Sequence, residues 1–306
     1  MIPTLWTAVT RDGRIYGIPI EASPSAIHYQ VSKLREAGLS LLSELETDAW
    51  TWDEFANYGR KLSRDYNGDG ELDQWGFSMV WDTRGWGIFL RSAGGRIFDD
   101  LSKPTRSMVN SEAGLESLEF LRDLVRGEIM YPENFGAGIR DPRMAMSLDG
   151  TWAVNATISA GVEFESWITP RHPRSGFGNW VEQQSLFIFD NRDEAKIEAA
   201  WQFLEWFYST EVHGRWAVGT GYFPVLTSAL NIPEVQDYFG SPQFQGHLLI
   251  MSLGYGTVAA RLTNSKGRQA LQAADISAVL PRVYLGEIPA ASALVEMERR
   301  MNAALQ

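Results

Sequence analysis

Thr51-Trp52-Asp53-Glu54-Phe55 begins the stretch that decides the fold, which ends at Trp75-Gly76-Phe77-Ser78-Met79-Val80. Thr51 followed by Glu54 is a capping-box pattern, which predicts the start of a helix. Apolar positions then recur at the helical period, at Trp52, Phe55, Gly59 and Leu62. The run from Trp75 to Val80 predicts a buried strand. Helices and short strands alternate along the rest of the chain as well, which suits α/β lobes with mixed sheets.

The polar loop between this helix and this strand carries oxygen-bearing side chains at alternate positions, at Asp65, Asn67, Asp69, Glu71 and Asp73. This is the first part of an acidic calcium loop, whose oxygens bind a hard cation. Such a loop of about twelve residues closes with a bidentate Glu, where this chain has Gly76. Two interpretations stay open: a structural Ca²⁺ held by these five residues, and an Asx-rich turn that needs no ion.

Further helices and one further strand are predicted from cap residues and from the spacing of apolar residues. Helices are predicted after Ser111 as N-cap, from Glu194 to Tyr208, from Thr210 to the glycine corner at 219–221, and after Pro289. Trp201 shares a helical face with Ile197, Leu204 and Tyr208, so we expect it in the core. The apolar run 186–189 predicts a short buried strand.

Several short motifs occur in a fixed order along the chain. They are Gly13-Arg14-Ile15-Tyr16-Gly17-Ile18-Pro19, Lys33-Leu34-Arg35-Glu36-Ala37-Gly38-Leu39, Met144-Ala145-Met146-Ser147-Leu148-Asp149-Gly150-Thr151-Trp152, Gly176-Phe177-Gly178-Asn179-Trp180-Val181-Glu182-Gln183-Gln184-Ser185 and Thr220-Gly221-Tyr222-Phe223-Pro224-Val225. With Thr51–Phe55, their order and spacing resemble the family 1 extracellular solute-binding proteins of ABC importers, the maltose- and glycerol-phosphate-type receptors. One stretch departs from the family pattern: Ile27-His28-Tyr29-Gln30 stands where two aromatic residues and an Asn are usual.

The resemblance implies a periplasmic-binding-protein type II-like α/β fold of two lobes, with crossovers near Ile15–Pro19 and Ser185–Phe189. It also implies that the family's opening βα segment is missing, so the first lobe is incomplete. We expect residues 1–18 and 181–225 to form a remnant of the first lobe, and residues 19–180 and 226–306 the second. Such a remnant exposes sheet edges and apolar helix faces, so we expect self-association or poor solubility.

The function implied is that of the substrate-binding component of an ABC importer, which holds a mono- or oligosaccharide or a related polyol between lobes that close about a hinge. Its partners are the permease subunits, and its location is extracytoplasmic. The expected ligand contacts are Asp149, Gly150, Trp152, Gly178, Asn179, Trp180 and Tyr222. Trp152 and Trp180 lie in glycine-flanked loops, where an indole face suits a sugar ring. Glu182 and Gln183 are alternative polar contacts, and Arg261 and Arg268 could meet an anionic ligand group.

Composition excludes several classes of function. The 306 residues carry 38 acidic and 27 basic side chains, a net charge of −11, which argues against nucleic acid as a partner. The chain has no cysteine, so disulfides, thiol catalysis and cysteine-ligated zinc are excluded. No apolar run approaches the roughly 20 residues that span a bilayer. We also find no basic-then-apolar leader at the start, so no signal peptide is predicted in this chain.

Two other classes of function stay open. A calcium-containing polysaccharide-degrading enzyme, a glycosidase or a lyase, would use two carboxylates across a cleft, and Asp149 with Glu182 is the best candidate pair. No phosphate loop and no nucleophile elbow is present, which favours a binding protein. The third class is an interaction domain that kept only the second lobe. Which sugar or polyol binds, and the oligomeric state, are not determined by the sequence.

Overall fold

The computed structural model describes residues 3–101, 103–253, 256–258 and 265–306. Its strands are β1 (Thr10–Arg11), β2 (Arg14–Ile15), β3 (Ile18–Pro19), β4 (Glu21–Gln30), β5 (Trp75–Ser78), β6 (Met144–Gly150), β7 (Phe164–Trp167), β8 (Asn179–Glu182), β9 (Ser185–Leu186), β10 (Phe223–Pro224) and β11 (Gly256–Val258). Its helices are α1 (Val31–Glu36), α2 (Trp52–Leu62), α3 (Thr83–Ser92), α4 (Glu112–Arg126), α5 (Trp152–Ser159), α6 (Glu194–Phe207), α7 (Thr210–Thr220), α8 (Pro233–Phe239), α9 (Gln245–Leu253), α10 (Ser265–Ala274), α11 (Ile276–Tyr284) and α12 (Ala290–Leu305).

Strand β4 is the centre of the main sheet, whose order is β11-β8-β4-β6-β5. It also pairs with β7 and β10. Most of these pairings are antiparallel, whereas β5–β6 and β8–β11 are parallel, so the sheet is mixed as predicted. The two segments predicted to cross between lobes lie side by side, because β3 pairs antiparallel with β9.

The predicted helix starts after Thr51 and Ser111 and the predicted apolar stripe of α12 are confirmed. The Thr51 hydroxyl accepts the Glu54 N–H at the start of α2, and the Ser111 hydroxyl accepts the Gly114 N–H at the start of α4. In a full capping box the Glu54 side chain would also accept the Thr51 N–H. Here the Thr51 N–H donates to the carbonyl of Ala49 instead, so the capping box is incomplete. On α12 the predicted apolar stripe is buried, at Leu294, Met297, Met301 and Leu305.

Two hydrophobic clusters form the core. The larger one packs α2, α3, α4, α11 and α12 against β4, β5 and β6, and it includes Trp50, Trp52, Trp81 and Trp86. The smaller one joins Ala217 and Phe223 to Phe239 and Phe244, and Ala22 of β4 belongs to it. The predicted lobe boundary at residue 225 runs through this smaller cluster, and the division into lobes stays a prediction.

Helix α6 corrects one prediction. Leu204 and Phe207 are its buried residues, whereas Trp201, Phe203 and Trp206 are 49%, 49% and 58% exposed. Trp201 is therefore not a core residue. The predicted buried strand at 186–189 is also wrong, because β9 ends at Leu186 and Phe187 and Phe189 are exposed.

This exposed aromatic face carries the expectation of self-association, since contiguous apolar patches on the surface favour association. We expect light scattering to show concentration-dependent oligomers of the chain. The double variant Trp201→Ser/Trp206→Ser should shift the population toward monomer and leave Tm nearly unchanged, because both side chains are exposed. A monodisperse monomer of the unmodified chain would contradict the expectation.

A buried histidine pair ties β4 to α9. His28 and His247 are fully buried and their Nε2 atoms lie 2.8 Å apart. The Nδ1 of His247 lies 2.9 Å from the carbonyl of Pro24, which can only accept, so this nitrogen donates. In a neutral ring the Nε2 of His247 must then accept, and His28 donates to it. Burial lowers the pKa of His28 well below its usual value and that of His247 to about 3, with the neighbouring ring and Arg140 also lowering the pKa of His28.

We expect this pair to make the fold acid-sensitive. Unfolded histidines bind a proton near pH 6.5, whereas these rings stay neutral in the folded state. Stability present above pH 6.5 is therefore lost as pH falls below it, by up to about 1.4 kcal/mol per histidine for each pH unit. Tm measured from pH 8 to pH 5 should fall, and the fall should be shallower for His28→Gln/His247→Gln. Equal slopes for the two proteins would contradict this prediction.

Candidate functional site

Arg84, in the first turn of α3, lies at the centre of the candidate site. Its guanidinium Nε is 3.9 Å from the carboxylates of Asp82 and Glu182, and its Cζ is 4.8 Å from the ring centroid of Trp152. The residue is buried, and its Nη1 has no hydrogen-bond partner among the residues that the structure describes. We call Asp82, Arg84, Asp149, Trp152 and Glu182 the Arg84 cluster.

The backbone around the cluster explains why these side chains meet. Asp82 is the N-cap of α3 and accepts the Gly85 N–H at 2.8 Å. Glu182 ends β8, opposite Ser23 of β4. Trp152 begins α5 directly after β6, and a Cβ on Gly150 would lie 2.1 Å from its indole. Gly150 therefore has to be a glycine for the indole to lie against the backbone at this position.

Asp149, the last side chain before Gly150, faces the same cluster. The indole N–H of Trp152 donates to its carboxylate, and the Gly150 N–H lies 2.9 Å from its Oδ1. Burial raises the pKa of Asp149 to about 6, although Arg84, the Gly150 N–H and Arg140 act in the opposite direction. A carboxyl group with this pKa changes its charge near neutral pH.

Tyr222 and Trp180 each lie near Glu182 of the cluster. Burial, together with the carboxylates of Glu21 and Glu182, raises the pKa of Tyr222 to about 12. Its ring stacks on that of Trp216, with 6.0 Å between centroids. Trp180 stands two residues from Glu182, on the same face of β8, and its half-buried indole packs at Gly87 of α3.

Two predicted ligand contacts have other surroundings in the structure. Asn179 is buried, and its side-chain amide donates to the Ser25 carbonyl at 2.7 Å and accepts the Ser25 N–H at 3.3 Å. A Cβ on Gly178 would lie 2.2 Å from the carbonyl oxygen of Ile88. Asn179 therefore holds β8 to β4, and Gly178 allows α3 to approach, while contact of these two residues with ligand stays a prediction.

The other predicted polar residues separate into two places. Glu182 and Asp149, the candidate catalytic pair, both lie beside Arg84. Gln183 lies elsewhere: with Arg268, Tyr16 and Phe187 it lines a cavity of about 840 Å³. Arg261 lies outside the described residues.

Sequence analysis missed Arg84 and Asp82, which turn out to be central. The signal available was Trp81-Asp82-Thr83-Arg84-Gly85-Trp86, an acidic N-cap followed by a cation between two tryptophans. An acidic residue at a helix start is usually only a cap, so the pattern does not by itself indicate a site.

The predicted calcium residues form a self-contained loop. The carboxylate of Asp65 accepts the N–H groups of Gly68 and Gly70 at 2.6 and 2.9 Å, and these bonds lower its pKa. Asn67 and Asp69 each accept the N–H two residues ahead, at 2.8 Å. Within the described part of the chain, no three acidic or histidine side chains are arranged to hold a metal ion. This geometry fits an Asx-rich turn better than an ion site, and calcium stays a prediction.

Chelation distinguishes the two interpretations of this loop. Because its oxygens are occupied by backbone N–H groups, we expect EDTA and added Ca²⁺ to change Tm by less than about 1 °C, the scale of a few tenths of a kcal/mol in a chain of this size. A Ca²⁺-dependent rise of several degrees that is lost in Asp65→Asn would instead establish a structural ion.

Comparison with known proteins places the chain in a family. Residues 2–242 match the family described as bacterial extracellular solute-binding protein. The match covers most of the sequence, and the chain belongs to this family. Its members are solute-binding proteins. None of the helices in the described residues has the length and apolar character needed to cross a membrane.

The chain is similar to two proteins with named ligands. It is 23% identical over 260 residues to the maltotriose-binding protein of Pyrococcus abyssi, covering 81% of this chain and 53% of that protein. It is 22% identical over 252 residues to the sn-glycerol-3-phosphate-binding periplasmic protein UgpB of Yersinia pseudotuberculosis, covering 75% of this chain and 53% of that protein. The chain thus spans about half the length of these relatives.

Solved structures confirm the predicted fold class. An ABC transporter solute-binding protein of Thermotoga lettingae, bound with α-D-tagatose, superimposes with a TM-score of 0.81 at 19% identity. The superposition covers 100% of this chain and 76% of that structure. The fold is therefore the α/β fold of type II periplasmic binding proteins.

Proposed function

We propose that this chain is the substrate-binding part of an ABC importer and binds a carbohydrate without changing it. The observation that carries the proposal is the Arg84 cluster, in a chain of this family. It offers a half-buried indole for a sugar ring and partly exposed carboxylates of Asp82 and Glu182 for hydroxyl groups. Trp180 and Tyr222 flank these groups and enlarge the apolar and polar contact area.

The proposed mechanism is closure of two lobes around the sugar. A ligand that touches both lobes only in the closed form shifts the equilibrium toward that form by its differential affinity. Permease subunits of the importer would recognise the closed form, at the outer face of the membrane. The pairing of β3 with β9 supports a hinge at this point, since both crossovers meet there.

The polysaccharide-degrading enzyme has no support in the comparisons, although Asp149 and Glu182 lie near each other. Both carboxyl groups are engaged, Asp149 by the Trp152 indole and Glu182 by Arg84. We therefore propose that these groups hold ligand hydroxyls and perform no chemistry.

Incubation with maltotriose and tagatose tests the proposal. Isothermal titration calorimetry should show saturable binding of at least one of these sugars to the 306-residue chain. Chromatography of the same mixture after prolonged incubation should return the sugar intact. New reducing ends would establish an enzyme, and absence of binding to every sugar of a wider panel would contradict the proposal.

A further inference from the structure

The charged groups of the Arg84 cluster differ in how much of each a ligand can reach. The side chain of Arg84 is 10% exposed, whereas those of Asp82 and Glu182 are 36% and 39% exposed. The cation is thus covered, whereas more than a third of each carboxylate side chain is exposed to solvent. A ligand that enters the site meets hydrogen-bond acceptors first.

Two carboxylates and an indole surround the guanidinium of Arg84, whose Nη1 has no hydrogen-bond partner among the described residues. Its Nε lies between the two carboxylates at equal distances of 3.9 Å. One face of its guanidinium is covered by the Trp152 indole. An anionic group that approached the guanidinium would lie close to the carboxylates of Asp82 and Glu182, whose negative charge opposes a bidentate contact with phosphate.

The charge balance around the cluster is negative as well. Beside the guanidinium of Arg84 lie three carboxyl groups, those of Asp82, Glu182 and Asp149. Glu21 adds a fourth carboxyl group near Tyr222. The other cation that acts on Asp149 is Arg140, whose guanidinium donates to the carbonyls of Gly136 and Ala137. A phosphate monoester carries about −1.5 to −2 charges at pH 7, so repulsion opposes its entry.

From this arrangement we propose that the site selects uncharged, hydroxyl-rich ligands and rejects phosphorylated ones. Arg84 acts as a positioning residue that neutralises part of the acidic charge and fixes the Trp152 indole. The inference rests on the proposed function and narrows it. The two similar proteins are named for maltotriose and for sn-glycerol 3-phosphate. The inference is that this site binds ligands of the first kind and not of the second.

The test compares maltotriose, D-tagatose and sn-glycerol 3-phosphate by calorimetry at pH 7.5 and low ionic strength, where electrostatic effects are least screened. We expect at least one neutral sugar to bind, and sn-glycerol 3-phosphate to bind at least tenfold more weakly. Tighter binding of sn-glycerol 3-phosphate would overturn the inference and leave the proposed function as a solute receptor intact. Failure of all three ligands and of every sugar of the wider panel would contradict both.

Two variants test the role of the carboxylates. Asp82→Asn/Glu182→Gln keeps the shapes of both side chains, and Asn remains a good helix cap. It should strengthen binding of sn-glycerol 3-phosphate at least tenfold and weaken binding of the sugar. Adding Arg84→Met to this double variant should abolish the gain, because the guanidinium is then absent.

Glu234→Gln, a surface change on α8, is the matched control for loss of negative charge. Should the double variant fail to fold, Glu182→Gln alone must shift the preference in the same direction. An unchanged preference in the folded variants would overturn the inference.

Discussion

Gly76→Ala is expected to abolish folding of this chain. A Cβ at this position of β5 would lie 2.1 Å from the carbonyl oxygen of Gly59 and 2.6 Å from its carbonyl carbon. Both atoms belong to the backbone of α2, which cannot move aside as a flexible side chain can. The helix would have to separate from the sheet, exposing Phe55 and Phe77, which are fully buried. We expect a loss of about 4 kcal/mol or more in the free energy of unfolding.

Urea denaturation followed by circular dichroism measures this effect. Gly219→Ala is the matched control, since residue 219 is exposed in α7 and a Cβ there would meet no atom of the described residues within 4 Å. Replacing a helical glycine by alanine should stabilise by about 0.5–1 kcal/mol. If Gly76→Ala kept the stability of the unmodified chain, the close contact between α2 and β5 would be wrong.

Trp152→Ala is expected to weaken sugar binding by at least about 30-fold, the equivalent of about 2 kcal/mol, a value typical of an aromatic anchor in a binding site. The indole supplies the apolar surface of the Arg84 cluster and donates to Asp149. Because Trp152 is half-buried and lies outside both core clusters, Tm should change little. Titration calorimetry with the sugar that binds the unmodified chain, and a thermal melt, measure the two quantities.

Trp201→Ala provides the control for loss of an exposed indole, because Trp201 lies on the surface of α6. We expect its dissociation constant to match that of the unmodified chain. Equal affinities for Trp152→Ala and Trp201→Ala would remove Trp152 from the binding site and with it the main support for the Arg84 cluster as the ligand site.

Much of the fold could be predicted because its signals are local. The caps at Thr51 and Ser111, the stripe of α12 and the end of α7 at Gly221 each depend on a few neighbouring residues. The prediction that Trp201 of α6 lies in the core was wrong for the opposite reason. The periodic pattern of this helix identifies an apolar face, but only the packing of other elements determines whether that face is covered.

The site was predictable in part. Asp149, Trp152, Trp180 and Tyr222 belong to motifs of the family, and the structure places them around one region. Arg84 could not be found in this way, because Trp152 and Glu182 lie 68 and 98 residues further along the chain. For Asn179 the deciding partner is Ser25, 154 residues away, and no local pattern shows that this amide is occupied.

Strand β4 has a consequence for biosynthesis. Residues 21–30 leave the ribosome more than 100 residues before their partners in β6, β7, β8 and β10, which come from positions between 144 and 224. Until those residues are translated, the most buried strand of the nascent chain has unpaired backbone groups and exposed apolar side chains. Contacts this distant in sequence slow folding and favour aggregation of intermediates. A chaperone that binds emerging chains should therefore contact residues 21–30 for much of translation.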